Sequence, residues 1–295
     1  MYKSKQEISA MPTILDVLEN IATPDNSEEI DYCQSFFGPT MRDDNFLVTE
    51  DHSNHKISLI PCSQSGPFML FRGQNEYHPI CKPSLFRGLP DEDRIVIDRI
   101  KQIEFSDIIS THPIIQELTN QHFNIDYNAI SQHYGFLTNM LDITSNKWTA
   151  AFFATTRFRN GKYEPVKENF KDGYGVIYKL KSGLDLSDYL DRIHPVGFQF
   201  LKCPSRQHAW GCILQENENF NDLPYFERVE FRHNLQASQW IYEMSYRQRR
   251  YFPQDYIAQL ADNLRSTETI SRKALEECHS FWFFSKCGAT YTSVV

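Results

Sequence analysis

An α+β fold is the expectation for this chain, with a central mixed or antiparallel sheet and flanking helices. Three observations predict it. Short apolar runs such as GYGVIYKL at 173–180 have the length and composition of strands. Longer stretches, above all 91–119, repeat apolar residues at helical spacing. The two kinds do not alternate regularly, which argues against a doubly wound parallel sheet.

Taken in order, Ile14, Leu15, Val17, Leu18 and Ile21 predict a short amphipathic helix, ended by Pro24 and the polar run DNSEE. A mixed region follows to about Ser65. PFMLFRGQ at 67–74 reads as a buried strand punctuated by Gly66 and Gly73. The helical period of 91–119 is interrupted at Pro113, with Asp91 near its N-cap. A helix over 128–132 leads into HYGFLTNMLDIT, and NKWTAAFFATTRF reads as a helix with small and aromatic residues inward. CILQ at 212–215 is a weaker strand, 255–279 one long helix or two short ones, and FWFFS at 281–285 a strand or docked apolar tail. The segments divide as 1–64, an N-terminal helical or mixed segment; 65–215, a central domain; and 216–295, a mostly helical extension packed on the core.

Composition narrows the function. Of 295 residues, 41% are hydrophobic, enough for a sizeable core, and 22 Phe and 15 Tyr leave rings to line a groove as well. A net charge of −8 argues against coating nucleic acid by bulk electrostatics, while leaving room for a local basic patch. The seven cysteines show no CxxC spacing, which predicts reduced thiols in a cytoplasmic protein. No signal-peptide core or membrane-length apolar run is expected. The scattered histidines predict no metal. GxGxxG, GxxxxGK[ST] and Gly-x-Ser-x-Gly are all missing from the sequence.

Four segments carry candidate chemistry. In Phe71-Arg72-Gly73-Gln74, a guanidinium fork suits phosphate or carboxylate, glycine lets a ligand approach the backbone, and Gln74 adds an amide. The structural alternative is an arginine paired with a buried carboxylate beside a turn glycine. From Ser131 to Thr144, His133 can contact a ribose hydroxyl or move a proton, and Tyr134 can stack on a ring. In the same run Asp142 can orient an arginine or histidine, and Thr144 can hold phosphate or ribose. Its alternative is a satisfied polar loop with Thr144 as a helix cap. Pro204–Gly211 offers Arg206 or Gln207 for a polar pocket, with Trp210 as a wall. An ordinary turn explains that segment nearly as well. Finally, Arg247, Arg249 and Arg250 alternate with rings and suit nucleic acid, although a solvated basic face is the commoner reason for such a run.

These segments, in this order, resemble the FRG domain family. Its motifs fall on Arg72, Gly73 and Gln74; on Pro83, Ser84, Leu85 and Arg87; and on Gln132, His133, Tyr134, Gly135, Leu141, Asp142 and Thr144. The resemblance spans about 65–215. Asn139 stands where the family has arginine, and its late Arg…Gln-x-Gly element is matched only loosely by Arg206 and Gly211, with Ala209 in the glutamine's place.

A more distant resemblance to arginine-type ADP-ribosyltransferases implies NAD as substrate. It also implies diphosphate at Arg72 and the nicotinamide ribose at Thr144; on that footing the residues themselves suggest ribose at His133 as well and nicotinamide on Tyr134 or Phe136, with Gly73, Gln74 and Gly135 lining the site. A late glutamate would steer the acceptor. Gln207 is nearest by order, and Glu216 and Glu230 are candidates further on. Asp142 is the other carboxylate within the motifs. The implied activity is ADP-ribose transfer to a protein, RNA or DNA acceptor, with Arg247, Arg249 and Arg250 positioning it. Such proteins fit a bacterial toxin or anti-phage defence role, in which an antitoxin would be a further partner. The competing expectations are a non-catalytic nucleotide-sensing module, and a nuclease-like enzyme using His133 as base.

Overall fold

The run that ends in Arg72 lies at the centre of the fold. The computed structural model describes residues 3–21, 40–42, 46–51, 55–61, 69–87, 92–181, 192–196, 202–252 and 256–280. Within these, α1 (Lys5–Ser9) and α2 (Ile14–Glu19) precede a three-stranded antiparallel sheet of β1 (Thr40–Arg42), β2 (Phe46–Asp51) and β3 (Lys56–Pro61). Next come β4 (Phe71–Gln74), α3 (Glu92–Ser110), α4 (Pro113–Asn120), α5 (Tyr127–His133), β5 (Met140–Thr144) and α6 (Lys147–Thr155). The hairpin β6 (Thr156–Arg159) and β7 (Lys162–Pro165) leads to β8 (Tyr174–Leu180), β9 (Ile193–Pro195), α7 (Lys202–Gln207) and β10 (Ala209–Ile213). The described chain ends with β11 (Phe226–Arg232), α8 (Leu235–Met244), α9 (Tyr256–Ser266) and α10 (Arg272–Ser280).

The main sheet has six strands in the order β11-β8-β4-β5-β10-β9, every neighbouring pair antiparallel. The fold class is therefore α+β, as the irregular mixture of elements predicts. Both faces are covered, which is why β8 reads as a nearly continuous apolar run rather than an alternating one. On one face α6 lays Ala150, Ala151 and Ala154 against Phe71, Ile177 and Phe231. On the other, Cys81, Trp210, Phe220 and Tyr225 pack with Val176, Tyr178 and Leu180. A third cluster joins Phe105, Ile130, Tyr134 and Phe136 beneath α3 and α5.

Some elements fall where the sequence places them. The helical stretch breaks at Pro113, which sits at the first position of α4 with His112 as its N-cap. The 255–279 region is two helices, α9 and α10. The HYGFLTNMLDIT stretch, assigned no strand from sequence, holds β5, and the mixed region before Ser65 holds β1 to β3. FWFFS, Asp91 and the residues after Ile21 that were expected to end the first helix lie outside the described residues. Among the described residues no helix is long and apolar enough to cross a membrane.

Candidate functional site

The cleft begins where the sheet comes apart. Strand β4 pairs with β8 along all four of its residues, Phe71↔Lys179 to Gln74↔Val176, but shares a single pair with β5, Phe71↔Thr144. Beyond that pair the two strands diverge. A cleft of about 520 Å³ opens between them, lined by Arg72, Gln74, Arg87, His133 and Asp142 among others. Arg72 spans part of the gap, its Nη1 donating to the Asp142 carbonyl at 2.5 Å. The side chain thus satisfies a strand carbonyl that the ladder has abandoned.

Gly73 is what lets β4 lie against α6. A Cβ built there would come within 1.8 Å of the Ala150 carbonyl oxygen. Its missing side chain serves helix packing, while Gly73 also contributes to the cleft lining. Helix α6 is fixed in turn by Asn146, whose Oδ1 accepts from the N–H groups of Trp148 and Thr149.

The electrostatics of the cleft are unbalanced. Its fully charged lining residues, among those described, are Arg72, Arg87 and Asp142. Among the described residues, Arg72 meets a neutral carbonyl, has no carboxylate within ion-pair distance, and keeps a buried Nε without a hydrogen-bond partner. Arg87 follows a short helical turn at Ser84–Phe86, and its Nε donates to the Lys82 carbonyl at 2.7 Å. Desolvation and then the nearby Arg72 charge both act to lower its pKa. The Asp142 carboxylate, 47% exposed, lies 3.6 Å from His133 Nε2 and accepts from Gln132 Nε2 at 3.3 Å. His133 is 4% exposed. Burial pushes its pKa below the ordinary histidine value, and the Asp142 charge opposes that only in part. Gln132 is held by the Thr138 hydroxyl, which donates to its Oε1.

Seven of the predicted residues, Arg72, Gly73, Gln74, His133, Asp142, Thr144 and Gln207, share this lining. Not all are free to act there. The Thr144 hydroxyl donates to the Gln207 carbonyl at 2.6 Å and accepts from the Asn146 N–H at 3.0 Å, so it fixes the start of α6. Gln207 is buried and spends its amide on the Tyr251 carbonyl. Gln74 Oε1 is buried without a partner while its Nε2 meets Cys81 Sγ.

Tyr134, Gly135 and Phe136 are elsewhere. Tyr134 and Phe136 are core residues packed on Phe105, with ring centroids at 5.5 and 4.8 Å. Gly135 adopts φ +83° beneath the Arg265 guanidinium. The sequence misread these two aromatics because a buried ring and a stacking ring carry the same signature.

Of the late residues only Gln207 reaches the cleft lining among those described. Arg206 is exposed outside the lining. Glu230 is on the edge strand with Lys3 at 3.0 Å, and the exposed Glu216 receives the Lys82 ammonium on its carbonyl. Arg247, Arg249 and Arg250 sit on an exposed turn after α8, Arg247 paired with Glu243 at 3.0 Å. Trp210 is core. Among the described residues no three His, Cys, Asp or Glu are grouped to hold a metal ion.

Arg87, Phe153, Phe158 and Tyr163 also line the cleft, and none was named as a site residue from sequence. Arg87 alone was visible, as part of Pro-Ser-Leu-x-Arg. The family model described as the FRG domain matches residues 68–162. No curated protein and no solved structure matches the chain, so nothing in these comparisons carries the likeness to ADP-ribosyltransferases.

Proposed function

The chain carries an FRG domain over residues 68–162, and we propose that the cleft within it binds a nucleotide through its phosphates, with NAD as the expected ligand. One observation supports this above the others: among the described residues, two guanidinium groups share the lining with a single carboxylate, and Arg72 retains an unpartnered buried Nε. A charged group partly withdrawn from water, as Arg72 is while Arg87 stays exposed, is ordinarily paired. A phosphate supplies the missing acceptor and suits the planar fork of arginine. The net charge of −8 makes this a local feature and not a property of the surface at large.

Isothermal titration of the purified protein with NAD and with inorganic pyrophosphate tests it. Saturable binding of both is expected, weakened by added salt. Arg72→Ala and Arg87→Ala should each cost about tenfold or more in affinity, in line with the loss of a charge-assisted pair. A folded protein that binds neither compound removes the reading.

A second reading is favoured by Asp142. Its half-exposed carboxylate lines the cleft beside the two arginines and is the only carboxylate there among the described residues. Cleavage of the nicotinamide–ribose bond builds positive charge on the sugar, and a fixed carboxylate lowers the energy of that state. Transfer of ADP-ribose to a protein or nucleic-acid acceptor would then rest on Asp142 in place of a glutamate. With labelled NAD and cell extract, Asp142→Asn should keep binding and lose transfer. Saturable binding without transfer by the wild type leaves the sensing module. His133, almost fully buried and facing Asp142, gives a nuclease base little access to a polymer.

A further inference from the structure

The cleft has a second end that phosphate chemistry does not use. Phe158 is 65% exposed and lines the same cleft as Arg72 and Arg87. It is carried by the β6–β7 hairpin, whose turn residues Asn160 and Gly161 both adopt positive φ, 50° and 77°, as a tight two-residue turn requires. The hairpin register pairs Phe158 with Tyr163, their ring centroids 5.1 Å apart.

Tyr163 is itself held from behind. It stacks on Phe252 at 5.0 Å and 18°, meets Phe153 edge-on at 5.9 Å, and its backbone N–H donates to Gln248 Oε1 at 2.7 Å. An exposed phenylalanine alone says nothing. Here the exposed ring has Tyr163 beside it and Phe153 against Tyr163, both in the lining of a cleft that also carries Arg72, Arg87 and Gln74.

The spacing is suitable as well. Asn75, three residues beyond Arg72, donates through Nδ2 to the Thr156 carbonyl at 2.5 Å and so ties the first residue of the hairpin to the end of β4. At the rise of an extended chain, three residues span roughly 10 Å. The hairpin start at Thr156 is thereby held on the length scale of a nucleoside diphosphate from Arg72, with Phe158 two residues further along β6.

We infer that Phe158, backed by Tyr163 and Phe153, is the stacking platform for the base of the nucleotide whose phosphates lie at Arg72 and Arg87. The inference rests on the phosphate reading above and narrows the ligand. It selects aromatic nucleoside diphosphates and dinucleotides over inorganic phosphates, sugar phosphates and phosphorylated side chains. It also replaces Tyr134 and Phe136, which the core has taken, as the ring-binding residues.

The test compares ADP with inorganic pyrophosphate in wild-type protein, Phe158→Ala and Phe158→Trp. The wild type should bind ADP more tightly than pyrophosphate. Phe158→Ala should weaken ADP about tenfold, within the range for one base on one ring, and leave pyrophosphate unchanged. Phe158→Trp should restore ADP affinity. Equal wild-type affinity for the two compounds, or a Phe158→Ala effect that is nil or the same on both, overturns the platform while Arg72-dependent pyrophosphate binding upholds the phosphate reading. If the wild type binds neither compound, both fall.

Discussion

The two edges of strand β4 follow opposite rules. Toward β8 the ladder is complete, from Phe71↔Lys179 to Gln74↔Val176, and the apolar side chains around it are buried. Toward β5 only Phe71↔Thr144 is paired, and the gap holds guanidinium, carboxylate, imidazole and amide groups. Among the described residues, buried polar atoms without a hydrogen-bond partner lie there too, Arg72 Nε, Gln74 Oε1 and the facing His133 Nε2 and Asp142 Oδ1. Native proteins leave few such atoms. The closed edge is organised for stability, whereas the open edge keeps bonding capacity in reserve, as a binding site must.

The comparison is most easily broken at Gly73. Its neighbours along the strand, Arg72 and Gln74, carry the polar lining, but the glycine touches α6. Gly73→Val should therefore lower stability by about 3 kcal/mol or more, because backbone, not a yielding side chain, occupies the space. Urea unfolding measures this. A loss under about 0.5 kcal/mol would mean that α6 is free to shift and that the arginine–glycine pair has some other reason.

Arg72 gives an intermediate effect, and its size distinguishes a ligand-binding arginine from a structural one. In Arg72→Met the Asp142 carbonyl loses a donor, worth about 1–2 kcal/mol for a partly buried group. Removal of a charge that has no ionic partner, close to Arg87, returns part of that. The expected net loss is about 1 kcal/mol by urea unfolding. An arginine locked to a buried carboxylate would cost about 3–5 kcal/mol on removal. A value in that upper range would assign the residue to structure and close the phosphate reading.

How much of this was legible beforehand depends on the scale of the interaction. The strand at Arg72, the break at Pro113 and the helix of Ala150 and Phe152 are local, and periodicity with capping and breaker residues displays them. Their α+β combination followed from the same local signals. The meeting of Arg72, His133 and Asp142 is not local. It was anticipated through a resemblance in motif order, which bears on proximity but not on which atoms remain free. Hence Thr144 and Gln207 were placed near the cleft while their bonds to each other and to Tyr251 were invisible. Phe158 was invisible for another reason. The run NKWTAAFFATTRF predicts a helix with Phe158 inward, whereas the helix stops at Thr155 and the strand that follows turns the ring outward.

The smallest expected effect is a pH dependence, and it probes how dry the open edge is behind its polar lining. Burial lowers the His133 pKa in the folded protein relative to the unfolded chain, against the opposing pull of Asp142. As pH falls through about 6.5 the unfolded chain takes up the proton first, so stability is lost from there down to the folded pKa. Within that window the slope from one such group is at most about 1.4 kcal/mol per pH unit. His233 is also buried with its pKa lowered and contributes a loss of the same sign. His133→Asn leaves His233 in place, so the difference between the two stability profiles isolates His133. The variant should lose less stability than wild type between pH 7 and 5. Asp142→Asn, which removes the charge that favours the imidazolium, should lose more. Parallel profiles for wild type and His133→Asn would show that water reaches the imidazole from the cleft, and the open edge would then be wet throughout its depth.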